Sequence, residues 1–322
     1  MEFRTKAVLP DFPFTIDHNR RGLVVGSCFA TAMATRLRAM KMPVVDNPTG
    51  VVYNPLSVAG VLRAAEAGRQ YKETDLIENN GLWCCFDHHG SFSGPDRGAV
   101  LKNINEKMVA ARGAFDAGDY LTLTWGTAWA FRYGPTGAVV ANCHKIPARE
   151  FERFRIEPEA IVAEFDALFS QAAYQSKNIL LTVSPIRHLK DGMAANQLSK
   201  SILVIAAHRL AEKYANVHYF PAYEIVMDDL RDYRFYEADM IHLSTVAVDY
   251  IWELFCEKLV APSTRELFKK IEKIHAALGH RPFRAGSDAC RAFRHSVTAQ
   301  IDVLEKLCPA IDWSEEKKQL SA

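Results

Sequence analysis

Three residues of this chain have the side chains that acyl transfer needs: Ser27, Asp239 and His242. Ser27 ends the apolar run Leu23-Val24-Val25-Gly26, and a run of this kind that breaks at Gly-Ser brings a hydroxyl to the edge of a sheet. Far along the chain, Asp239-Met240-Ile241-His242 sets an acid and an imidazole one helical turn apart. An Asp can orient and charge-stabilise a His that removes the proton from a Ser, so the three supply nucleophile, base and orienter. Two other readings compete. Ser after Gly is also a common helix N-cap, where its oxygen is spent on a backbone N–H. Cys28 is a rival nucleophile, because a helix N-terminus can activate a thiol, but adjacent residues at a strand end point in different directions.

The triad exists only if a fold carries residue 27 to residue 242. Five short apolar segments read as strands: Leu23 to Gly26, Val44 to Asp46, Tyr120 to Trp125, Ile179 to Ser184 and Val217 to Ile225. They are β-branched or aromatic and end in turn or helix-start residues, the pattern of strands buried on both faces of a parallel sheet. Phe29 to Met40, Pro55 to Ala67, Glu150 to Ala173, Asn196 to Tyr214 and Thr245 to Leu259 read as helices. This alternation predicts a three-layer α/β/α sandwich with a mostly parallel five-stranded sheet. Such sheets place their sites at the carboxyl ends of the strands, where Ser27, Gly50, Gly126 and Ser184 fall.

Two insertions interrupt the alternation, near 68–98 and 131–145. The second carries the turn signal Tyr133-Gly134-Pro135-Thr136-Gly137 before Ala138-Val139-Val140, which predicts a hairpin. After Leu259 a helix start at Pro262, a Gly-Pro break at 279–286 and the segment Val297 to Leu307 predict a helical hairpin. The expected division is therefore a catalytic domain over 1–261 and a helical C-terminal extension over 262–322. The extension is a packing layer for the sheet, a contact for a homo-oligomer or a partner-binding arm.

Composition narrows the function classes. At 322 residues, 49% hydrophobic and 24% charged, the chain can bury a large core. Its 39 basic and 38 acidic residues leave a net charge of +1, so no global field draws it to nucleic acid, to an anionic membrane or to a polyacidic substrate. Met1-Glu2-Phe3-Arg4-Thr5-Lys6 lacks the apolar segment of a secretory signal, and no stretch approaches membrane-spanning length, so the expected location is cytoplasmic. Seven cysteines without a C-x-x-C pair argue against a disulfide scaffold or a zinc knuckle. His88 and His89 beside Asp87 lack the i,i+4 or i,i+2 relation that converges on an ion, so no metal is expected. Neither is a cofactor. Trp83, Phe86, Phe92, Trp125 and Trp129 are candidates to stack a sugar or line an acyl pocket, against the plainer role of core.

The pentapeptide Gly26-Ser27-Cys28-Phe29-Ala30 resembles the signature of the GSCFA family, a branch of the GDSL/SGNH esterase superfamily. The likeness continues through Asp46 to Pro55, Trp125 to Trp129, Asn142 to Lys145 and Ser184 to His188, to the Asp-x-x-His. It implies a serine esterase acting on an O-acyl, carbohydrate-linked or other small-molecule ester through an acyl-enzyme. The same triad would serve an O-acyltransferase with a glycan or other alcohol as acceptor, and a noncatalytic binding module is the remaining alternative. Related enzymes take oxyanion donors from the nucleophile's own N–H, a Gly after the second strand and an Asn in a Gly-x-Asn-Asp segment. The resemblance thus implies Ser27 and Gly50. At the third position Gly126-Thr127-Ala128-Trp129 lacks the Asn, which leaves Thr127 or Asn142 to replace it. His144 and His188, in the matching motifs, are candidates for substrate contact or for loop hydrogen bonding.

Overall fold

Leu23, Val24 and Val25 are all buried, so both faces of their strand need cover. The computed structural model, which describes residues 4–279 and 288–321, supplies it. Among these residues the strands are β1 (Gly22–Gly26), β2 (Val44–Asp46), β3 (Ile77–Asn79), β4 (Leu82–Cys84), β5 (Tyr120–Trp125), β6 (Trp129–Tyr133), β7 (Val139–Val140), β8 (Phe151–Arg155), β9 (Asn178–Val183) and β10 (Val217–Tyr219). The helices are α1 (Cys28–Ala39), α2 (Pro55–Ala67), α3 (Arg97–Asp116), α4 (Pro158–Phe169), α5 (Ala172–Gln175), α6 (Gly192–Lys213), α7 (Ala222–Glu224), α8 (Thr245–Leu259), α9 (Pro262–Gly279), α10 (Asp288–Leu307) and α11 (Ser314–Ser321).

The central sheet runs β10-β9-β5-β1-β2 with every pairing parallel. Leu23 and Val25 turn to one face, where α2, α3, α4 and α6 bring Leu62, Ile104, Phe165 and Leu203 into a single apolar cluster. The opposite face is covered by α1 and α8, through Phe29, Leu37, Ile251 and Phe255. The result is a three-layer α/β/α sandwich. Chain order reverses between β1 and β5, and in open sheets of this kind the crevice beyond those strand ends is where ligands bind.

The C-terminal helices continue the second apolar cluster. Phe268, Ile271, Val297, Ile301 and Trp313 join it directly, Phe268 stacks on Trp252 at 6.0 Å, and Lys41 pairs with Glu316 at 2.5 Å. The helices on either side of the expected break are present and pack together, while residues 280–287 lie outside the described part.

Three elements differ from the sequence reading. Glu150 to Ala173 does not form one helix: Phe151-Glu152-Arg153-Phe154-Arg155 is strand β8, paired antiparallel with β6, and the helix starts at Pro158. Pairing with β6 decides this, since Phe151 and Phe154 stand at the i,i+3 spacing of a helix and nothing local to the segment calls for a strand. The segment from Val217 is a strand only to Tyr219, after which Pro221 turns the chain into α7 and a π-helical turn at Ile225–Asp229. Helix α3, between the first insertion and β5, had no counterpart in the sequence reading. Asp96 caps it, accepting from Ala99 N at 2.6 Å, and Val100, Ile104, Met108, Ala111 and Phe115 form its buried stripe. The predicted hairpin of the second insertion is present as β6 and β7, with Phe131 opposite Val140.

Candidate active site

The turn that presents Ser27 is held by backbone constraint. Gly26 has φ +149°, and a Cβ there would lie 2.2 Å from Thr124 O, so only glycine fits. Its N–H donates to Asn47 Oδ1 at 2.8 Å, and its carbonyl accepts from Val52 N at 3.0 Å. Asn47 Nδ2 in turn donates to Thr31 Oγ1 at 2.9 Å, which ties the β2 loop to α1. Ser27 stands at the N-cap of α1, yet its side chain makes no capping bond. The residue is 2% exposed and its Oγ has no hydrogen-bond partner among the described residues. A hydroxyl at that position without a partner is available for chemistry, at the positive end of a helix dipole.

The second half of the site is the loop between Tyr236 and α8. Asp239 Oδ1 accepts from the backbone N–H of Ile241 at 2.8 Å and of His242 at 2.9 Å, so the carboxylate shapes its own loop. Met240 takes a left-handed φ of +57° within that turn. The other oxygen, Oδ2, lies 2.6 Å from His242 Nδ1. That bond, with help from the two backbone N–H groups, pulls the Asp239 carboxyl down to about 2. The carboxylate is therefore ionised at any ordinary pH and fixes Nδ1 as the donor, leaving Nε2 as the ring's acceptor.

Ser27 and His242 line one cavity of about 350 Å³ at the carboxyl edge of the sheet. Cys28, Tyr53, Asn54, Gly126, Thr127, Ser184 and His188 share it. Cys28 Sγ lies 3.8 Å from Tyr53 Oη. His188 has a buried Nε2 without a partner, and burial, reinforced by the Lys200 charge, pushes its ring down to about 4. It is neutral in the cavity. Of the five aromatics singled out from the sequence, Trp129 lines the cavity, whereas Trp125 is fully buried against Phe165.

Other candidates lie elsewhere or are already engaged. Neither backbone donor implied by the resemblance is free: Ser27 N donates to Thr124 O at 3.2 Å and Gly50 N to Asn47 O at 2.7 Å. Gly50 serves the loop instead, because a Cβ there would meet His89 Cβ at 2.4 Å and its φ is +78°. Thr127 Oγ1 accepts from Trp129 N and lies 3.2 Å from Ser199 Oγ. Asn142 is outside the cavity wall, its Oδ1 accepting from His144 N at 2.8 Å, and His144 Nε2 bonds Cys85 O at 2.7 Å. Both hold the insertions together. Among the described residues no three His, Cys, Asp or Glu side chains converge on a metal position. His88 is buried between Tyr71 and Phe92, with both ring nitrogens unpartnered.

Three residues at the site carry a weight that the sequence reading did not give them. Asn54 caps α2, accepting from Ser57 N through Oδ1 at 2.9 Å, and lines the cavity, its Nδ2 making no hydrogen bond among the described residues. An Asn before a Pro-led helix is a legible cap, but its cavity position is not local information. Lys200 on α6 is fully buried and donates from Nζ to Gly126 O at 2.6 Å and Ser184 O at 2.7 Å, clamping the ends of β5 and β9. In the sequence it is one lysine on an otherwise ordinary helix. Arg187 donates its backbone N–H to Ile241 O at 3.2 Å, which fastens the loop after β9 to the loop of His242.

These features define an α/β/α protein with a hydroxyl, an Asp-held imidazole and a cavity at the topological switch of its sheet. The chain belongs to the GSCFA family: the family model matches residues 21–255, and the model of the C-terminal domain of GSCFA domain proteins matches 271–322. No curated protein and no solved structure matches it. No helix among the described residues is long and apolar enough to cross a membrane.

Proposed function

We propose that this GSCFA protein is a serine-dependent esterase of the SGNH type. The observation that carries the reading is the unpartnered Oγ of Ser27 on the same cavity wall as His242, whose Nδ1 is held by Asp239 at 2.6 Å. Ser27 Oγ attacks the ester carbonyl as His242 Nε2 takes its proton. The C–O bond to the alcohol breaks, the alcohol leaves with that proton, and water repeats the sequence on the acyl-enzyme. No hydrogen bond joins Ser27 to His242, and such bonds commonly tighten only with substrate.

Charge on the tetrahedral oxygen needs donors other than the two N–H groups already engaged. Asn54 Nδ2 and the open N–H groups of the first turn of α1 are the available ones. Hydrolysis is favoured over transfer to a second alcohol by exposure, since half of the His242 side chain is open to water. The test is a chromogenic short-chain ester together with a serine-directed phosphonate. Wild type should turn over the ester and take one label on Ser27, and Ser27→Ala should do neither. Turnover surviving in Ser27→Ala, with the label on Cys28, would move the nucleophile to the thiol.

A further inference from the structure

Away from Ser27 the cavity has two unlike walls. Trp129, Phe131, Val140 and Ala141 make one of them apolar. The rest of the lining bears charge that the chain as a whole does not have: three cationic side chains, Arg153, which reaches over Trp129, Arg187 and Lys190, against one carboxylate, Asp191. The chain's net charge is +1, while this cavity alone has an excess of two positive charges when His242 is the neutral base.

The single carboxylate is already committed. Arg153 grips Asp191 with both guanidinium arms, one at 2.7 Å, and lies flat over Trp129 at 4.1 Å. Lys190 senses the same Asp191 from a distance and has no ion pair among the described residues. Arg187 has no carboxylate partner among them either. Its guanidinium carbon sits over the rings of Tyr236 at 4.2 Å and Tyr233 at 5.2 Å, and its side-chain N–H groups make no hydrogen bond among the described residues. A fork held in this way fits an oxyanion in two-point contact, with Lys190 as a second, mobile charge. The Arg187 backbone bond to Ile241 keeps that fork in register with His242.

We infer that the cavity takes an ester carrying an oxyanionic group, a carboxylate or a phosphate, bound at Arg187 and Lys190 while the carbonyl meets Ser27. The inference rests on the esterase reading for the word ester, and on the two unpaired cations for the rest. An apolar stretch of substrate lies between the two ends, against Trp129 and Phe131. The anion both steers encounter and selects among esters, because a neutral analogue leaves the half-buried Arg187 and the exposed Lys190 unanswered.

Two measurements test the subsite separately from the chemistry. The first is binding by calorimetry of benzoate, phenyl phosphate and benzyl alcohol, which share an apolar ring and differ in charge. At least one of the anions should bind about tenfold or more tighter than the alcohol, and comparison of the two anions tells which group is preferred. Arg187→Met with Lys190→Met should bring the three together, and Arg187→Lys, which keeps the charge, should preserve much of the preference. The second compares kcat/KM for 4-nitrophenyl hemiadipate with its methyl ester, and for 5-acetoxy-2-nitrobenzoate with 4-nitrophenyl acetate, so that the anion is offered on either side of the ester. One anionic member should lead by a similar factor, and the double variant should level the pair. Equal binding of all three probes by wild type, or an anion preference that survives in the folded double variant, overturns the inference. An anion preference lost in that variant, with no ester cleaved by wild type, would sink the esterase reading and leave the anion subsite standing.

Discussion

Lys200 is the most exacting test of how this site is held. Its ammonium is fully buried beneath the strand ends, and burial pulls it down from an ordinary value of 10.5 to about 7. The geometry explains why the neutral form is tolerated: an amine keeps two N–H groups, and the structure offers two acceptors, Gly126 O and Ser184 O. The third N–H of the ammonium has no partner. In the unfolded chain Lys200 holds its proton up to about 10.5, so between pH 7 and 10.5 the unfolded state binds more protons than the folded one. Stability therefore rises with pH through that window, is complete above it, and falls away as pH drops toward 7. The whole effect is on the order of 5 kcal/mol, and the part between pH 7.5 and 9.5 is about 2–3 kcal/mol.

Urea unfolding of wild type and Lys200→Met at pH 7.5, 8.5 and 9.5 measures it, because other titrating groups cancel in the difference. The stability of wild type relative to the variant should increase with pH by that amount. Near pH 7 the variant is relieved of a buried charge but orphans two carbonyls, each worth about 1–3 kcal/mol, so the two states should lie closer there. A difference that stays flat from pH 7.5 to 9.5, or falls, would mean that the buried amine keeps its proton throughout. Lys200 would then clamp the two carbonyls as an ammonium.

Asn54→Asp keeps the α2 cap and removes the amide donor, so kcat for a cleaved ester should fall by about 100- to 1,000-fold with little change in unfolding temperature, whereas Asn142→Leu should leave kcat near wild type. Retained activity in a stably folded Asn54→Asp would remove that side chain from the oxyanion site. Asp239→Asn preserves the acceptor for the Ile241 and His242 N–H groups but offers an NH2 group to Nδ1, so steady-state assays should show kcat down by roughly 10⁴-fold. Gly26→Ala must relieve a 2.2 Å approach to a backbone carbonyl, and urea titration should show a loss of more than about 1–3 kcal/mol.

The elements of the sandwich were legible because their signals are local. A fully buried parallel strand reads as an apolar run, and Leu23-Val24-Val25-Gly26, Tyr120 to Trp125 and Ile179 to Val183 each do so. Helices α2 and α8 carry their own caps, Asn54 before Pro55 and Ser244 before Thr245. Segment Phe151–Arg155 was misread because its partner strand, twenty residues earlier, decided its form. Ser27, Asp239 and His242, proposed here as nucleophile, orienter and base, could be singled out from sequence because they are recognisable side chains beside recognisable turns.

What surrounds the triad was decided by tertiary structure alone. Whether an N–H is a free donor depends on which carbonyl lies across from it, and Thr124 O and Asn47 O claimed those of Ser27 and Gly50. Asn142 and His144 share a motif with site-like residues, yet the insertions turned them toward Phe86 and Cys85. Lys200, with no distinguishing neighbours in the chain, became a buried clamp only because α6 crosses beneath two strand ends. Charge follows the same rule. The sequence determines that acids and bases nearly balance, but only packing pairs Arg153 with Asp191 and leaves Arg187 and Lys190 without an ion pair among the described residues, because an ion pair depends on separation in space and not along the chain.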